Sequence, residues 1–296
     1  MATLMLPLCL GIPRVPIAPG VDMPTLNFGF QQDHSAAIRI GVRGLDTALT
    51  YSDAQQAEVG KAVRESGVPR AELFVTTKVP CCPSPFSSRL CAADQNGTLV
   101  SANATENVLH DLDTLGLDYV DLLLLHWPCA AMADTVANYK ALEPFVLSGR
   151  ARAIGISNFN SSAIDALLPH VSVKPAVNQC GFSISGHDES TSLWGRDDAT
   201  HATCRKHGIQ YSAYSPLGGV TKHGTGHVLS EPTVIAVAKA HNVSAAQVAL
   251  RWVLQSGVVA VTASDNLGHV ASDLQVYGFA LSDAEMAALA RVTVRP

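Results

Sequence analysis

The chain has 296 residues, of which 47% are hydrophobic and 15% charged, and a net charge of −5 at a sequence pI near 6.1. That is enough apolar material for one large core or two ordinary ones, and the acidic balance excludes an electrostatic case for nucleic acid or an anionic membrane surface. No apolar run reaches the ~18 residues of a membrane-spanning helix, and the apolar start MATLMLPLCLGIP has no basic residue before Arg14, so a secretory leader is not expected. A cytoplasmic protein without nucleic-acid or membrane partners is the expectation.

In chain order, short apolar runs alternate with amphipathic stretches. A short run near LNFGF comes first, then IRIGVRGLD, which reads as a helix end, a turn and a strand running into Asp46. The strands ELFVTTK (72–78), YVDLLLLH (119–126), RAIGIS (152–157), PAVNQ (175–179), IQYSAYS (209–215) and VVAVTAS (258–264) follow. Such near-continuous apolar runs suit buried parallel strands. Between them the helical stretches are AEVGKAVRESG, NATENVLHDLDTLG, TVANYKALEPFVLSG, SAIDALLP, RDDATHATCRKHG and EPTVIAVAKAHNVSAAQVALRWVLQSG. Gly149, Gly208 and Gly257 stand after helices, where a left-handed cap is wanted. Eight strand–helix steps with no linker or repeat predict one closed (β/α)8 TIM barrel, a single domain over 1–296. The alternative, a doubly wound open sheet, lacks a G-x-G-x-x-G after any strand.

Function in such a barrel collects where strands end and loops begin. Those ends are Asp46, Lys78, His126, Ser157-Asn158, Asn178-Gln179, Tyr214-Ser215 and Ser264. Any one alone reads as a cap or a satisfied core polar group. Their gathering at one rim is what points to a site.

The segments DTALTY, FVTTK, LLLLHWP, GISNF, VNQ and AYSPLG, in this order and spacing, resemble the aldo-keto reductases over roughly residues 20 to 290. The resemblance implies a barrel that binds a nicotinamide dinucleotide without a glycine fingerprint and acts on a small-molecule carbonyl. Its catalytic four fall on Asp46, Tyr51, Lys78 and His126. A phenol titrates near ~10 in water, and an ammonium beside it favours the phenolate. The resemblance thus implies that Tyr51 delivers a proton, Lys78 eases its loss, Asp46 holds Lys78, and His126 orients the carbonyl oxygen. In the family branch that reduces steroid carbon–carbon double bonds the fourth position is Glu, so His126 favours carbonyl chemistry.

The resemblance further implies that Ser157, Asn158 and Gln179 hold the nicotinamide carboxamide, that Tyr214 stacks on its ring, and that Ser215 and Leu217 wrap the pyrophosphate. Trp127 is the implied substrate-binding aromatic. The last strand departs from the pattern. Family members that prefer NADP(H) carry Lys-Ser there and an Arg five residues after the Lys, where this chain has Ala263, Ser264 and His269. NADP(H) remains the family default, and NAD(H) becomes possible because two cations are missing. Ser264, Asn266 and a protonated His269 are the candidates to replace them, and the usual adenine-contacting Glu-Asn pair is Ser272-Asp273. Gly29-Phe30-Gln31 replaces Gly-Thr-Trp, Pro80 replaces a frequent tryptophan, the chain from Tyr51 to Val59 is two residues longer than usual, and the tail after the last helix is short. The expected pocket is open and sparing in aromatics, suited to small, polar or varied carbonyls, in a monomer or weak oligomer. A competing reading keeps the barrel and the cofactor as a regulatory module with little turnover.

Seven cysteines occur, four of them (Cys81, Cys82, Cys91 and Cys129) after neighbouring strands. With no standard ligand spacing, reduced loop thiols are expected rather than a metal site or a redox disulfide. The N-x-S/T matches at Asn96, Asn103, Asn160 and Asn242 carry little weight without a leader. His223 and His227 sit in GGVTKHGTGH, too rich in glycine for a helix, and read as a loop over the cofactor.

Overall fold

A computed structural model of the chain describes residues 11–29, 33–84, 91, 98, 100–185, 197–218 and 228–292. Cys9, Phe30, Gln31, Asn96, His223 and His227 lie outside the described residues.

The eight parallel strands are β3 (Leu26–Phe28), β4 (Gly44–Asp46), β5 (Phe74–Val79), β6 (Val120–Leu125), β7 (Ala151–Ser157), β8 (Val177–Gly181), β9 (Gln210–Tyr214) and β10 (Val259–Thr262). They pair in sequence order and close through β10 onto β3. A hairpin of β1 (Arg14–Ala18) and β2 (Val21–Pro24) precedes them. Its Val21 and Met23 pack with Phe74, Leu122, Ala153, Val177 and Val259, all at or near the N-terminal ends of barrel strands. The hairpin therefore plugs the end of the barrel opposite the candidate site. The sequence reading omits it, because Pro13, Pro16, Pro19 and Gly20 mask its two short strands.

The helices are α1 (His34–Arg39), α2 (Asp53–Glu65), α3 (Ala104–Leu115), α4 (Met132–Lys140), α5 (Glu143–Leu147), α6 (Ser161–Leu167), α7 (Asp198–His207), α8 (Pro232–His241), α9 (Ala245–Gln255), α10 (Leu267–Asp273) and α11 (Asp283–Ala290). Two stretches that read as single helices are broken. Pro144 opens α5 after the end of α4. Asn242 takes a left-handed conformation that ends α8, and Ser244 and Gln247 form a capping box that starts α9. Asn103 and Asn160 accept hydrogen bonds as the N-caps of α3 and α6, so three of the four N-x-S/T asparagines have local structural work. Gly149, Gly208 and Gly257 have φ of +75°, +62° and +77°, as their places after helices require.

Between barrel and helices lies the main core, in which Leu123, Leu125, Ile154 and Ile156 of the strands meet Val108, Leu112, Ile164, Val248 and Val253 of the helices. Each such side chain, once buried, contributes roughly 1.5–3 kcal/mol against chain entropy. Gly60 lets α2 and α3 touch, since a Cβ there would stand 1.7 Å from the Leu115 carbonyl oxygen. That approach brings Gln56 of α2 to Asp111 of α3 inside a buried polar cluster.

The cysteines correct the sequence expectation. Cys81 is bonded to Cys129, and Cys82 to Cys91. Val79 pairs with Leu125 across β5 and β6, so the loops after these strands leave the barrel side by side. The Cα atoms of Cys81 and Cys129 are 5.0 Å apart and those of Cys82 and Cys91 5.7 Å, within the range a disulfide spans. No spacing rule in the sequence reports that proximity. Cys180 and Cys204 are buried free thiols; burial pushes the Cys180 thiol pKa far above its ordinary value and that of Cys204 up to about 11.

Candidate active site

The parallel register brings the C-terminal strand ends to one rim, with Asp46 beside Thr76, Lys78 beside Leu124, Ser157 beside Gln179 and Gly181 beside Tyr214. A cavity of about 600 Å³ opens there. Asp46, Tyr51, His126, Ser157, Asn158, Gln179 and Tyr214 line it, together with the 215–218 turn, Val261 and Thr262 of the last strand, and Ala263 just after it.

Lys78 stands behind this wall, almost fully buried. Its Nζ donates to Asp46 Oδ1 at 2.5 Å and to the Thr47 carbonyl at 2.8 Å. The other Asp46 oxygen accepts from Gln179 Nε2 at 2.7 Å. Burial alone would lower the Lys78 pKa, but the Asp46 carboxylate and Tyr51 outweigh it and the net shift is upward. The ammonium is thus retained at neutral pH. It lies 5.4 Å from the centroid of the Tyr51 ring. Tyr51 closes the short 3-10 turn Leu49–Tyr51, and at 44% exposure it faces the opening.

His126 follows β6 directly. Its ring meets the Tyr51 ring edge-on, with centroids 6.1 Å apart. Burial, and then the Lys78 charge, hold its pKa well below the usual value, so the imidazole is neutral. The His126 carbonyl accepts from Asn158 Nδ2 at 2.8 Å. Trp127 is buried and packs its ring 4.6 Å from that of His126, while its Nε1 donates to the Cys81 carbonyl at 3.0 Å. Its described contacts are with the protein, and it is not among the residues that line the cavity.

Asn158 has φ of +63°, a conformation asparagine tolerates. Its side-chain oxygen accepts from the Tyr214 hydroxyl at 2.7 Å, and Ser157 Oγ donates to the Gln179 carbonyl at 2.7 Å. Ser157, Asn158 and Gln179 thus offer hydroxyl and amide groups beside the Tyr214 ring. A second cavity, of about 340 Å³, shares Leu217 and Ala263 with the first. Ser264, His269, Ser272, Asp273 and the start of α9 line it. The two form one groove with amides and an aromatic ring at one end and hydroxyls and an imidazole at the other. That donor set fits the chemistry of a nicotinamide dinucleotide.

The Aldo/keto reductase family model matches residues 31–293. The chain is an aldo-keto reductase. This aldo-keto reductase is 39% identical to morphine 6-dehydrogenase of Pseudomonas putida over 94% of its own length and 90% of the relative's. It is 34% identical to the 9,11-endoperoxide prostaglandin H2 reductase of Trypanosoma cruzi, over 90% and 86% of the two chains. Among solved structures, an aldo-keto reductase from a Medee basin deep-sea metagenome library superposes with a TM-score of 0.79 at 28% identity, covering 95% of each chain. A Bombyx mori aldo-keto reductase in complex with NADP superposes with a TM-score of 0.77 at 27% identity, over 95% of this chain and 93% of that one. The chain is accordingly an oxidoreductase on a (β/α)8 barrel. Among the described residues no helix is long and apolar enough to cross a membrane.

Several groups of the site stand outside the sequence reading. Thr50 places its hydroxyl 3.4 Å from His126 Nδ1. Thr47 Oγ1 bonds Gln56, which bonds Asp111, and Asp111 also accepts from Thr77 at 2.6 Å. This cluster adjoins Lys78 through Thr47 and Thr77. Thr50 has a signal in the sequence, its place beside Tyr51. Gln56 and Asp111 are 55 residues apart on two helices, and nothing local announces their meeting.

Proposed function

We propose that this aldo-keto reductase reduces aldehyde or ketone carbonyls to alcohols with a nicotinamide cofactor, and that Tyr51 is the proton donor. A bound reduced nicotinamide supplies the hydride. The observation that carries the reading is the Tyr51 hydroxyl-bearing ring and the neutral His126 facing one cavity, with the buried Lys78–Asp46 pair behind the tyrosine. Carbonyl reduction leaves negative charge on oxygen. Tyr51 gives that oxygen a proton, and the Lys78 ammonium stabilises the phenolate left behind. Asp46 and Thr47 fix the ammonium so that it is in place before charge develops. His126, being neutral, offers one N–H to the carbonyl oxygen without a positive charge that would compete for the proton.

Cofactor choice follows from the second cavity. Among the described residues lining it, His269 is the one side chain able to carry positive charge, and Asp273 brings a carboxyl. We infer NADP(H) as the family's usual cofactor, held here with little preference over NAD(H). The substrate is a small, polar or varied carbonyl, in keeping with an open cavity in which Tyr51 is the exposed aromatic.

Tyr51→Phe tests the reading. Turnover on a panel of aldehydes should fall at least ~10²-fold, while cofactor affinity, read by quenching of protein fluorescence, stays near that of the wild type. Near-normal turnover in a folded Tyr51→Phe protein would overturn the assignment. Tight cofactor binding by the wild type with no turnover on any carbonyl would favour a regulatory module instead.

A further inference from the structure

A neutral imidazole has one N–H, and which ring nitrogen carries it is set by the partner of the other nitrogen. At His126 that partner is Thr50. Its hydroxyl oxygen lies 3.4 Å from Nδ1, and Thr50 itself is buried. The Trp127 ring, tilted against that of His126 with centroids 4.6 Å apart, and the Tyr51 ring, T-shaped to it at 6.1 Å, restrict its rotation. Asn158 ties down the His126 backbone through its carbonyl.

We propose that Thr50 is a positioning residue that selects the tautomer of His126, donating its hydroxyl proton to Nδ1 so that Nε2 carries the hydrogen offered to a substrate carbonyl. The alternative tautomer would put the hydrogen on Nδ1 and point it at the Thr50 oxygen. The hydroxyl proton of Thr50 would then be buried without an acceptor, because among the described residues that hydroxyl has no other hydrogen-bonding partner. A bare Nε2 would also set its lone pair against those of a carbonyl oxygen, which can only accept. Both considerations favour the same proton placement. The inference rests on the reading of His126 as the group that orients the substrate oxygen, and it adds the residue that makes it able to do so.

Thr50→Val keeps the branched shape and removes the hydroxyl, and Thr50→Ser keeps the hydroxyl. In protein labelled with 15N-histidine, the His126 signals are assigned by their loss in His126→Gln. The wild type and Thr50→Ser should show Nε2 as the protonated nitrogen and Nδ1 as the bare one. Thr50→Val should show averaged shifts of a tautomer mixture. Its kcat should fall on the order of tenfold with the KM for cofactor unchanged, and Thr50→Ser should restore most of it. If the valine variant fails to fold, Thr50→Ala removes the hydroxyl without the added methyl. A single Nε2-protonated tautomer in Thr50→Val overturns the proposal, whatever happens to kcat. A tautomer mixture with undiminished kcat supports the selection by Thr50 and instead overturns the role given to His126.

Discussion

At the Tyr51 end of the groove Lys78, Asp46 and Gln179 are buried and bonded across the barrel, whereas at the other end Ser264 and His269 lie at the surface and bond near neighbours. Lys78 reaches Asp46 across 32 positions of sequence and Gln179 reaches Asp46 across 133. Ser264 meets Asn266 and His269 within five residues, at the surface. The first arrangement is fixed by the closure of the barrel. The second is a short loop before α10, whose geometry a bound group can still adjust. On the proposed function, the comparison teaches that the catalytic groups are placed where folding already demands order, while the groups proposed to discriminate between cofactors stand where substitutions cost little. It can be broken by showing that the buried end tolerates change or that the exposed end does not.

The largest effect belongs to Lys78→Met. Turnover should fall by at least ~10²-fold. Stability should fall too, because the buried Asp46 carboxylate loses its cation, and removing one partner of a buried pair costs about 3–5 kcal/mol. Adding Asp46→Asn to Lys78→Met should recover much of that stability and none of the activity. Chemical denaturation and initial rates on the same samples check both. A Lys78→Met protein as stable as the wild type would mean that the buried end is not held by this pair.

The disulfide between Cys81 and Cys129 comes next. It ties the loops that follow the strands of Lys78 and His126 and closes a span of 48 residues. A bond of that kind contributes about 2–4 kcal/mol. Reduction by dithiothreitol should lower the denaturation midpoint, and Cys129→Ser should lower it without reductant. Thiol titration of the unfolded wild type should find four more thiols after reduction than before, matching the two bonds. An equal count would remove both bonds and restore the reduced thiols that the sequence suggested.

Much of the buried end is legible in the sequence, and the reason is physical. Strands buried on both faces read as unbroken apolar runs, so a lysine or a carboxylate at the end of one stands out, as Lys78 does after FVTT and Asp46 after VRGL. What supports these residues is not legible. The disulfides depend on loops leaving adjacent strands together, and the Gln56–Asp111 contact depends on two helices meeting at Gly60. The hairpin β1–β2 is hidden by its prolines, and the break between α8 and α9 lies at a single asparagine within an otherwise continuous helical pattern.

A smaller effect tests the support of the buried end from behind. Burial pushes the Asp111 carboxyl up to about 7, against the opposing pull of its Thr77 and Gln56 donors. An acid raised in the folded state binds a proton on folding, so its contribution to stability is greatest at low pH and is lost as pH rises from about 4 to about 7. Three histidines act in the opposite sense. His34, His126 and His201 have lowered pKa values, chiefly through burial, and their contribution is lost as pH falls below the ordinary imidazole range. The difference between wild type and Asp111→Asn isolates the carboxyl. Measured by denaturant unfolding, the wild type should lose stability relative to the variant between pH 5 and pH 8, by an amount on the order of 1 kcal/mol per pH unit at most. A difference that does not change with pH would mean that Asp111 is ionised throughout.

The smallest effect is expected at the exposed end. A 2′-phosphate needs charge-assisted donors, each worth roughly 1.5–3 kcal/mol where it is well formed, and less in solvent, where exposed ion pairs contribute about 0–1 kcal/mol. Ala263 offers none, and His269 carries charge only when protonated. The wild type should therefore separate NADPH from NADH by well under ~100-fold. Ala263→Lys with His269→Arg should tighten NADPH several-fold and leave NADH almost unchanged, and the gain should shrink at high salt because its source is exposed charge. Binding of each cofactor by fluorescence quenching, at two salt concentrations, separates these contributions from turnover. The contrast between the two ends would fail if the wild type already bound NADPH hundreds of times more tightly than NADH at pH 8. Discrimination would then be built into a fixed cationic site, and the exposed hydroxyls and imidazole around Ser264 would not be what sets it.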